Sequence, residues 1–309
     1  MDRTSVEWRG YLPAITTPFL EDGDVDWDGL ERLVEWLVGE GMHGIAVAGT
    51  TGEWHSMTSP ERHQLFAVAV RTVAGRIPVL AGCSALTTAE AIEHARAAQT
   101  AGCDGILLTP PPYVRPNDQE LVAFYRAVAD AGELPLCVYN WPRGTGIDLS
   151  VDVQRRLAEI PNIVAIKNSS GSMDQFLAGF LALREEVRYY GVQLNELGLM
   201  LVQQFDADGT IGAAGILGSR QPDFFNHAWR GDDSAALRCG ASEGLLAARW
   251  TAGGYGPRFG SGPAIMKAAL NLRGLPGGFP RPPLLPLDAQ ETAIVRETLV
   301  ELELLEVGA

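Results

Sequence analysis

Residues 162–168, Asn-Ile-Val-Ala-Ile-Lys-Asn, contain four consecutive apolar residues that end at a lysine. A run that is apolar along its whole length, rather than at every second position, is typical of a strand buried on both faces of a parallel sheet. Seven further runs share this composition, and segments with the helical spacing of apolar residues separate them. The eight predicted strands are residues 11–17, 44–49, 78–84, 105–110, 135–140, 162–168, 187–192 and 209–217.

Eight strand–helix alternations of about 28 residues each predict an α/β protein of the (β/α)8 TIM-barrel class, since such barrels use about 250 residues. The first strand–helix turn lacks the GxGxxG pattern of a dinucleotide-binding sheet. After about Gly231 the strand-like runs stop, and residues 233–252, 263–274 and 287–305 have helical patterns. The sequence therefore predicts a catalytic barrel at 1–231 and a C-terminal appendage of three helices at 232–309.

The composition restricts the partners of the protein. The chain has 309 residues and a formal net charge of −14, so it should repel nucleic acid and anionic membrane surfaces. No apolar stretch reaches about 18 residues, and we expect no transmembrane helix. The four cysteines have no CxxC spacing and no secretory segment is evident, which favours a reducing, cytoplasmic location. The five histidines show no ligand spacing, so we expect neither a metal nor another cofactor.

Lysine is rare in this chain, because only Lys167 and Lys267 occur among 24 lysine and arginine residues. Lys167 ends the sixth predicted strand, and barrel enzymes place their chemistry at the C-terminal ends of strands. Burial there should lower its pKa, and a neutral amine can add to a ketone. Loss of water then leaves an iminium ion that stabilises negative charge at the neighbouring carbon. Lys167 is the predicted nucleophile, whereas Lys267 is predicted to lie on a solvated helix face.

Tyr139 ends the fifth predicted strand, one strand–helix unit before Lys167. Neighbouring strands lie about 4.8 Å apart, so both side chains should be near the same rim of the barrel. A nearby lysine can lower the pKa of a phenol and allow it to relay protons during dehydration. We therefore predict a catalytic role for Tyr139.

Residues 49–53, Gly-Thr-Thr-Gly-Glu, follow the second predicted strand. A turn of this composition can present backbone N–H groups and two hydroxyls to a carboxylate. Gly49, Thr50 and Thr51 are therefore candidate substrate-binding residues, together with Ile211 in the eighth strand-like run. Glu53 is expected to have a structural role under the loop.

Together these stretches resemble the dihydrodipicolinate synthase/N-acetylneuraminate lyase family. The resemblance includes Pro-Ala-Ile-Thr-Thr-Pro-Phe at 13–19, the turn at 49–53, Tyr-Asn-Trp-Pro at 139–142, the lysine strand end and Pro-Ala-Ile-Met-Lys-Ala-Ala-Leu at 263–270. It implies a 2-oxo acid such as pyruvate as substrate, with Lys167 as the Schiff-base lysine and Tyr139 as the proton relay. Thr50 and Thr51 would hold the carboxylate, and Thr50 would link to the relay.

The resemblance also bears on assembly. Tyr113 matches a tyrosine that reaches into the active site of a neighbouring subunit in many relatives. It therefore implies a catalytic role for Tyr113 and a homo-oligomer, usually a dimer of dimers. Without the resemblance, Tyr113 is only an aromatic residue in a loop.

The sequence departs from the family pattern where the second substrate is recognised. Synthases carry an arginine directly before the Thr-Gly of this stretch, and Gly144 fills that position here. Arg143 is adjacent and is a candidate substrate-binding residue. After the seventh strand, Gly-Val-Gln-Leu-Asn at 191–195 replaces an acidic stretch of the synthases, and neuraminate lyases usually have Ser-Thr at 50–51. Trp54 and His55 either shape the mouth of the site or pack against the next helix.

These departures favour an aldolase or a dehydratase that acts on pyruvate or another 2-oxo acid, such as a 2-keto-3-deoxy sugar acid. Dihydrodipicolinate synthase, which condenses pyruvate with an aldehyde, is the alternative. A non-catalytic barrel that senses a 2-oxo acid is a third hypothesis, although a sensor needs no nucleophile.

Overall fold

The computed structural model describes residues 1–251 and 261–306, which fold into a barrel of eight parallel strands surrounded by helices. The strands are β1 (Gly10–Tyr11), β2 (Ile45–Val47), β3 (Val79–Gly82), β4 (Gly105–Leu108), β5 (Leu136–Asn140), β6 (Ile163–Asn168), β7 (Arg188–Tyr190) and β8 (Gly209–Thr210). The helices up to the last strand are α1 (Trp27–Gly39), α2 (Ser59–Val73), α3 (Thr88–Ala101), α4 (Asp118–Ala129), α5 (Pro142–Thr145), α6 (Val151–Ala158), α7 (Met173–Leu183) and α8 (Glu196–Phe205). The remaining helices are α9 (Arg220–Arg230), α10 (Asp233–Leu246), α11 (Gly262–Leu272) and α12 (Ala289–Glu301).

The barrel is closed between the first two strands. The sheet runs in the order β1-β8-β7-β6-β5-β4-β3-β2, and a parallel bridge between Ala14 and Ala46 joins its two ends. Ile15 N donates a hydrogen bond to Ala46 O at 2.9 Å, and Ala46 N donates to Pro13 O at 2.8 Å. The predicted (β/α)8 barrel with C-terminal helices is confirmed.

Local sequence signals begin several of the helices. The Thr58 side chain accepts a hydrogen bond from Glu61 N, and the Glu61 carboxylate accepts one from Thr58 N. Thr87 and Glu90 form the same reciprocal capping box at the start of α3. Each box satisfies backbone N–H groups that lack a partner within the helix, so these starts are fixed by the sequence itself.

The apolar residues form two layers, as the fully apolar strands require. Side chains such as Leu12, Leu80 and Leu107 fill the barrel, while residues such as Phe66 and Phe180 pack between strands and helices. Within residues 1–251 and 261–306, no helix is long and apolar enough to cross a membrane.

The eighth predicted strand is too long. The apolar run at 209–217 is a strand only at Gly209–Thr210, and Ala214 and Gly215 have φ angles of 58° and 69°. Those angles belong to the left-handed region, which a strand does not use. Ile216 and Leu217 are nevertheless buried. The run is apolar because it is a buried loop, and composition alone does not separate the two cases.

The three predicted appendage helices correspond to α10, α11 and α12. A π-helical turn at Ala247–Thr251 follows α10, and the predicted end at 252 and the last residues, 307–309, lie outside the described part of the chain. Val295 and Leu299 of α12 belong to the same hydrophobic cluster as Leu37 of α1. The division at residue 231 stays a prediction.

The prediction that Lys267 lies on a solvated helix face is wrong. Its side chain is 1 % exposed, and its ammonium donates a hydrogen bond to Phe279 O at 2.7 Å. The chain after α11 passes over this face of the helix, which the amphipathic pattern of α11 alone does not reveal.

Candidate active site

Lys167 and Tyr139 lie side by side at the C-terminal rim of the barrel. They occupy equivalent positions in the pairing of β5 with β6. The Lys167 ammonium nitrogen, Nζ, lies 3.9 Å from the centre of the Tyr139 ring. Both side chains are buried, with exposures of 7 % and 6 %. The structure thus brings together the two residues that the spacing of the strands predicted to be neighbours.

Burial controls the protonation of Lys167. It lowers the pKa of the amine from 10.5 to about 8, and the neighbouring Cys137 opposes this shift. No carboxylate forms an ion pair with Lys167 among residues 1–251 and 261–306. Without such a partner, a buried ammonium loses much of its hydration and the neutral amine is favoured. Lys167 therefore has the protonation behaviour that a nucleophilic amine needs near neutral pH.

The pKa of Tyr139 shifts in the direction opposite to the prediction. We expected a lysine neighbour to lower it, but burial raises the pKa of the phenol well above its usual value of 10.0. The hydroxyls of Ser169 and Thr50 oppose that rise without cancelling it. Desolvation of a phenolate outweighs a lysine that is itself partly neutral. The buried phenol is consequently a proton donor in the resting protein.

The Gly-Thr-Thr-Gly-Glu turn lies beside Tyr139. Glu53 N donates to Thr50 O at 3.1 Å, and Thr17 Oγ1 donates to Gly52 O at 2.9 Å, so the turn is held from within and from the chain after β1. Thr50 Oγ1 is buried, and its hydrogen-bonding interaction with the Tyr139 hydroxyl opposes the rise in the pKa of that phenol. A buried hydroxyl at the edge of a cavity can also interact with a ligand oxygen.

A cavity of about 380 Å³ opens above these residues. Six of the eight sequence-predicted site residues line it, namely Lys167, Tyr139, Thr50, Thr51, Arg143 and Ile211. Gly49 does not line it and instead accepts a hydrogen bond from Trp54 N at 3.4 Å. Tyr113 also lies outside the cavity, with 95 % of its side chain exposed.

Several lining residues were undecided or missed by sequence reasoning. His55 lines the cavity, whereas Trp54 packs under the Arg62 guanidinium at 5.4 Å. Ser169 lines the cavity two positions after Lys167, and the two-residue period of strands could have identified it. Met266 of α11 lines the cavity as well, but only the tertiary fold brings that helix to the rim.

Trp141 takes the space that a side chain at position 144 would need. Its ring stacks on Tyr139, with centres 6.1 Å apart and planes inclined by 21°. A Cβ atom at Gly144 would lie 1.7 Å from the Trp141 ring. The stacked indole therefore requires glycine at position 144, and the indole forms one wall of the cavity.

A second cavity of about 400 Å³ meets the first at Lys167 and Ser169. It extends towards the segment after β7, where the amides of Gln193 and Asn195 line it, and towards Glu243 of α10. Gln221 Nε2 donates to the Glu243 carboxylate at 2.7 Å, but burial still raises the pKa of that carboxyl. The open space next to Lys167 therefore extends in two directions.

An eight-stranded barrel with a partly neutral lysine at its rim, next to a phenol and paired hydroxyls, has the architecture of a class I, Schiff-base-forming lyase. A family model described as the dihydrodipicolinate synthetase family matches residues 7–302. The chain belongs to this family, and it is an enzyme of the pyruvate-condensing, Schiff-base lyase class.

Individual relatives agree with this assignment. The chain is 40 % identical over 238 residues to a 4-hydroxy-tetrahydrodipicolinate synthase of Phenylobacterium zucineum, which covers 75 % of this chain and 78 % of the relative. It is 33 % identical to the enzyme of that name from Methanococcoides burtonii, over 97 % of this chain and 100 % of the relative. The crystal structure of a chloride-inhibited dihydrodipicolinate synthase from Acinetobacter baumannii, complexed with pyruvate, matches with a TM-score of 0.84 and 34 % identity, over 96 % of this chain and 100 % of that one.

Proposed function

We propose that Lys167 forms an iminium ion with pyruvate or another 2-oxo acid, and that the enzyme is an aldolase or dehydratase for a 2-keto-3-deoxy sugar acid. The observation that carries this proposal is the buried Lys167 amine. Its pKa is about 8, it contacts the Tyr139 ring, and it faces a cavity lined by the hydroxyl-bearing turn.

In the proposed reaction the neutral Lys167 amine adds to the keto carbon and gives a carbinolamine. Tyr139 donates its proton to the departing hydroxyl, which leaves as water, and the phenolate is stabilised by the iminium cation that forms. Thr50 and Thr51 hold the substrate carboxylate, and their position in the cavity wall beside Tyr139 supports this role. The Tyr139 phenolate then takes a proton from the adjacent carbon, which gives an enamine and restores the phenol.

The enamine can take part in two reactions. In the first it adds to an aldehyde, and in the reverse direction it forms when the carbon–carbon bond of a longer 2-oxo acid is broken. Alternatively, it can expel a β-hydroxyl group as water. The geometry at Lys167 serves both reactions equally, so product analysis must separate them. An aldolase releases or consumes an aldehyde. A dehydratase releases only water, and its product acid has one hydroxyl group fewer than the substrate.

The residues that line the two cavities support the proposal of a sugar acid as substrate. The flat Trp141 indole offers a surface for the C–H face of a polyhydroxylated chain, and the amides of Gln193 and Asn195 can bond its hydroxyls. Arg143 supplies a positive charge in the first cavity. Condensation of pyruvate with an aldehyde, as the names of the relatives indicate for them, is the second candidate. Gly144 in place of an arginine counts against it.

The test is borohydride trapping followed by mass spectrometry. Incubation with pyruvate and borohydride should add one reduced pyruvate to the wild-type chain, mapped to Lys167, and nothing to Lys167→Ala. The mapping has few alternatives, because Lys267 is the only other lysine and the α-amine of Met1 the other candidate amine. If neither pyruvate nor a panel of 2-oxo acids gives an adduct, the enzyme proposal is wrong, and retained affinity of Lys167→Ala for a 2-oxo acid would favour the sensor.

We also propose that the chain works as a homo-oligomer, arranged as a dimer of dimers. The fully exposed Tyr113 supports this, because a large aromatic side chain at the rim of one barrel can complete the site of another.

A further inference from the structure

Lys267, which the sequence analysis assigned to a solvated surface, belongs to a buried ionic contact. Its Nζ atom lies 2.5 Å from Glu53 Oε1, and the two side chains are 1 % and 0 % exposed. Nζ also lies 4.2 Å from the centre of the Phe19 ring. Burial lowers the pKa of Lys267 to about 8 although the Glu53 carboxylate opposes the shift. A charge in such a place is retained only where its partners compensate for lost hydration.

Glu53 is held at both carboxylate oxygens. Oε1 contacts Lys267, and Oε2 accepts a hydrogen bond from Arg281 N at 3.0 Å. Its backbone has a φ of 57°, in the left-handed region that non-glycine residues rarely use. A strained residue with a fully engaged side chain is one whose position is determined by its surroundings.

The Arg281 side chain ties the same segment to the barrel. Its guanidinium donates to Gly23 O at 2.6 Å and to Ser56 O at 2.9 Å, and forms an ion pair with Glu61 at 2.5 Å. The chain after α11 is thus fastened on both sides of the Gly-Thr-Thr-Gly-Glu turn. Glu53 lies at the centre of this attachment.

Lys267 and Glu53 each lie close in sequence to residues that line the cavity. Glu53 is two residues from Thr51, which lines the cavity, and shares one tight turn with Thr50. On α11, Pro263 and Met266 line the same cavity, one turn before and one residue before Lys267. One ionic contact therefore fixes the distance between two walls of the site.

We propose that Lys267 and Glu53 are a pair of positioning residues that hold the Thr50–Thr51 turn in the geometry that binds the carboxylate of the 2-oxo acid. This inference rests on the proposed function. It makes the appendage part of the substrate-binding apparatus, since the barrel alone does not supply the partner of Glu53. Neither residue touches the reacting atoms, and their effect is on substrate affinity.

A purely stabilising role is the competing explanation, and the two roles differ in what a variant changes. Loss of a positioning contact should raise the pyruvate concentration that half-saturates trapping on Lys167 while the limiting trapping rate stays close to that of wild type. Loss of a stabilising contact should lower the melting temperature and leave the half-saturating concentration of the folded fraction unchanged.

The experiment compares Glu53→Gln, Lys267→Met and the double variant with wild type in borohydride trapping across a pyruvate series. Each single variant should raise the half-saturating concentration about ten-fold or more, since small displacements of binding groups are costly. The half-saturating concentration of the double variant should not exceed that of the single variant with the lower affinity, because each single change already breaks the same contact. Glu53→Asp, which keeps the charge but retracts it, should give an intermediate increase and guards against variants that do not fold.

The matched control is Arg188→Met, which breaks another buried ion pair. Arg188 Nη1 lies 2.7 Å from Asp208 Oδ1, at 6 % and 0 % exposure, near the N-terminal ends of β7 and β8, and neither residue lines the cavity. This control should lose stability and keep the wild-type half-saturating concentration. The positioning role is overturned if folded Glu53 and Lys267 variants, Glu53→Asp included, half-saturate at the wild-type pyruvate concentration. A wild-type protein that gives no adduct contradicts both the proposed function and this inference.

Discussion

At the scale of single residues, desolvation determines the chemistry of the rim. It favours the neutral amine at Lys167 and the neutral phenol at Tyr139, so near pH 8 the phenol is uncharged and about half of the Lys167 amine is neutral. An uncharged nucleophile beside an uncharged acid is the pair that addition to a ketone and loss of water require. In the proposed reaction, the substrate carboxylate and the iminium ion then change the electrostatic environment of both groups.

The pKa of Lys167 predicts how trapping depends on pH. Only the neutral amine attacks, so the initial rate of pyruvate trapping should rise with pH up to about 8 and level off above it. A reductant that acts over the whole pH range, with pyruvate below saturation, gives this profile. An inflection near the ordinary lysine pKa of 10.5 would contradict the effect of burial.

The same burial predicts that Lys167 costs stability. Lys167→Met should abolish trapping and raise the free energy of unfolding at pH 7 by about 2 kcal/mol, since it removes a buried ammonium without an ionic partner. The folded-state pKa is lower than the unfolded one, so wild type gains stability as the pH rises from about 8 towards 10.5. The difference in the free energy of unfolding between Lys167→Met and wild type should therefore become smaller over that pH range. Urea unfolding at several pH values measures it, and a constant difference would contradict the assignment.

At the scale of elements, the short helix α5 borders the cavity beside Lys167, where we expect it to affect which partner fits. It begins directly after Trp141 and contains both Arg143 and Gly144. The indole stacks on Tyr139, so this helix is in contact with the proposed proton relay through Trp141. A change at Gly144 is transmitted to Tyr139 through Trp141.

Gly144→Ala should therefore alter selectivity for the partner. The added Cβ would lie 1.7 Å from the Trp141 ring and must displace it. We expect kcat/KM for the preferred sugar acid to fall about ten-fold or more, while pyruvate trapping on Lys167 persists. Gly39→Ala is the matched control, because a Cβ there meets nothing within 4 Å. Equal kcat/KM values for Gly144→Ala and wild type would show that the indole does not contact the partner.

The accuracy of the sequence-based predictions also varied with scale. The strand pattern was sufficient for the barrel, and the scarcity of lysine singled out Lys167, because both features are local. The position of Lys267 depended on the chain near Phe279 folding back over α11, and that of Met266 on α11 reaching the rim. The pKa of Tyr139 depended on total burial, which a single neighbouring residue does not determine.

At the scale of the whole molecule, the loop after β4 has exposed apolar side chains. The side chains of Tyr113 and Val114 are 95 % and 50 % exposed, and Leu86, after the neighbouring β3, is 58 % exposed. Tyr113 also has a φ of 78°, a backbone conformation that is costly for a side chain of its size. A strained, exposed tyrosine followed directly by an exposed valine is typical of a contact between subunits, where tyrosine often dominates the binding energy.

We therefore expect the protein to be an oligomer whose assembly depends on Tyr113. Light scattering should give a tetramer at micromolar concentrations, and Tyr113→Ala should shift the mass towards smaller species and slow pyruvate trapping if the side chain enters a neighbouring site. Leu181→Ala provides the control, since Leu181 is a similarly exposed apolar residue (56 %) on the outer helix α7, and it should change neither property. A monomeric wild type with full activity would mean that each barrel carries a complete site and that Tyr113 has no catalytic role. Loss of activity without a change of mass would instead place the effect of Tyr113 within its own chain.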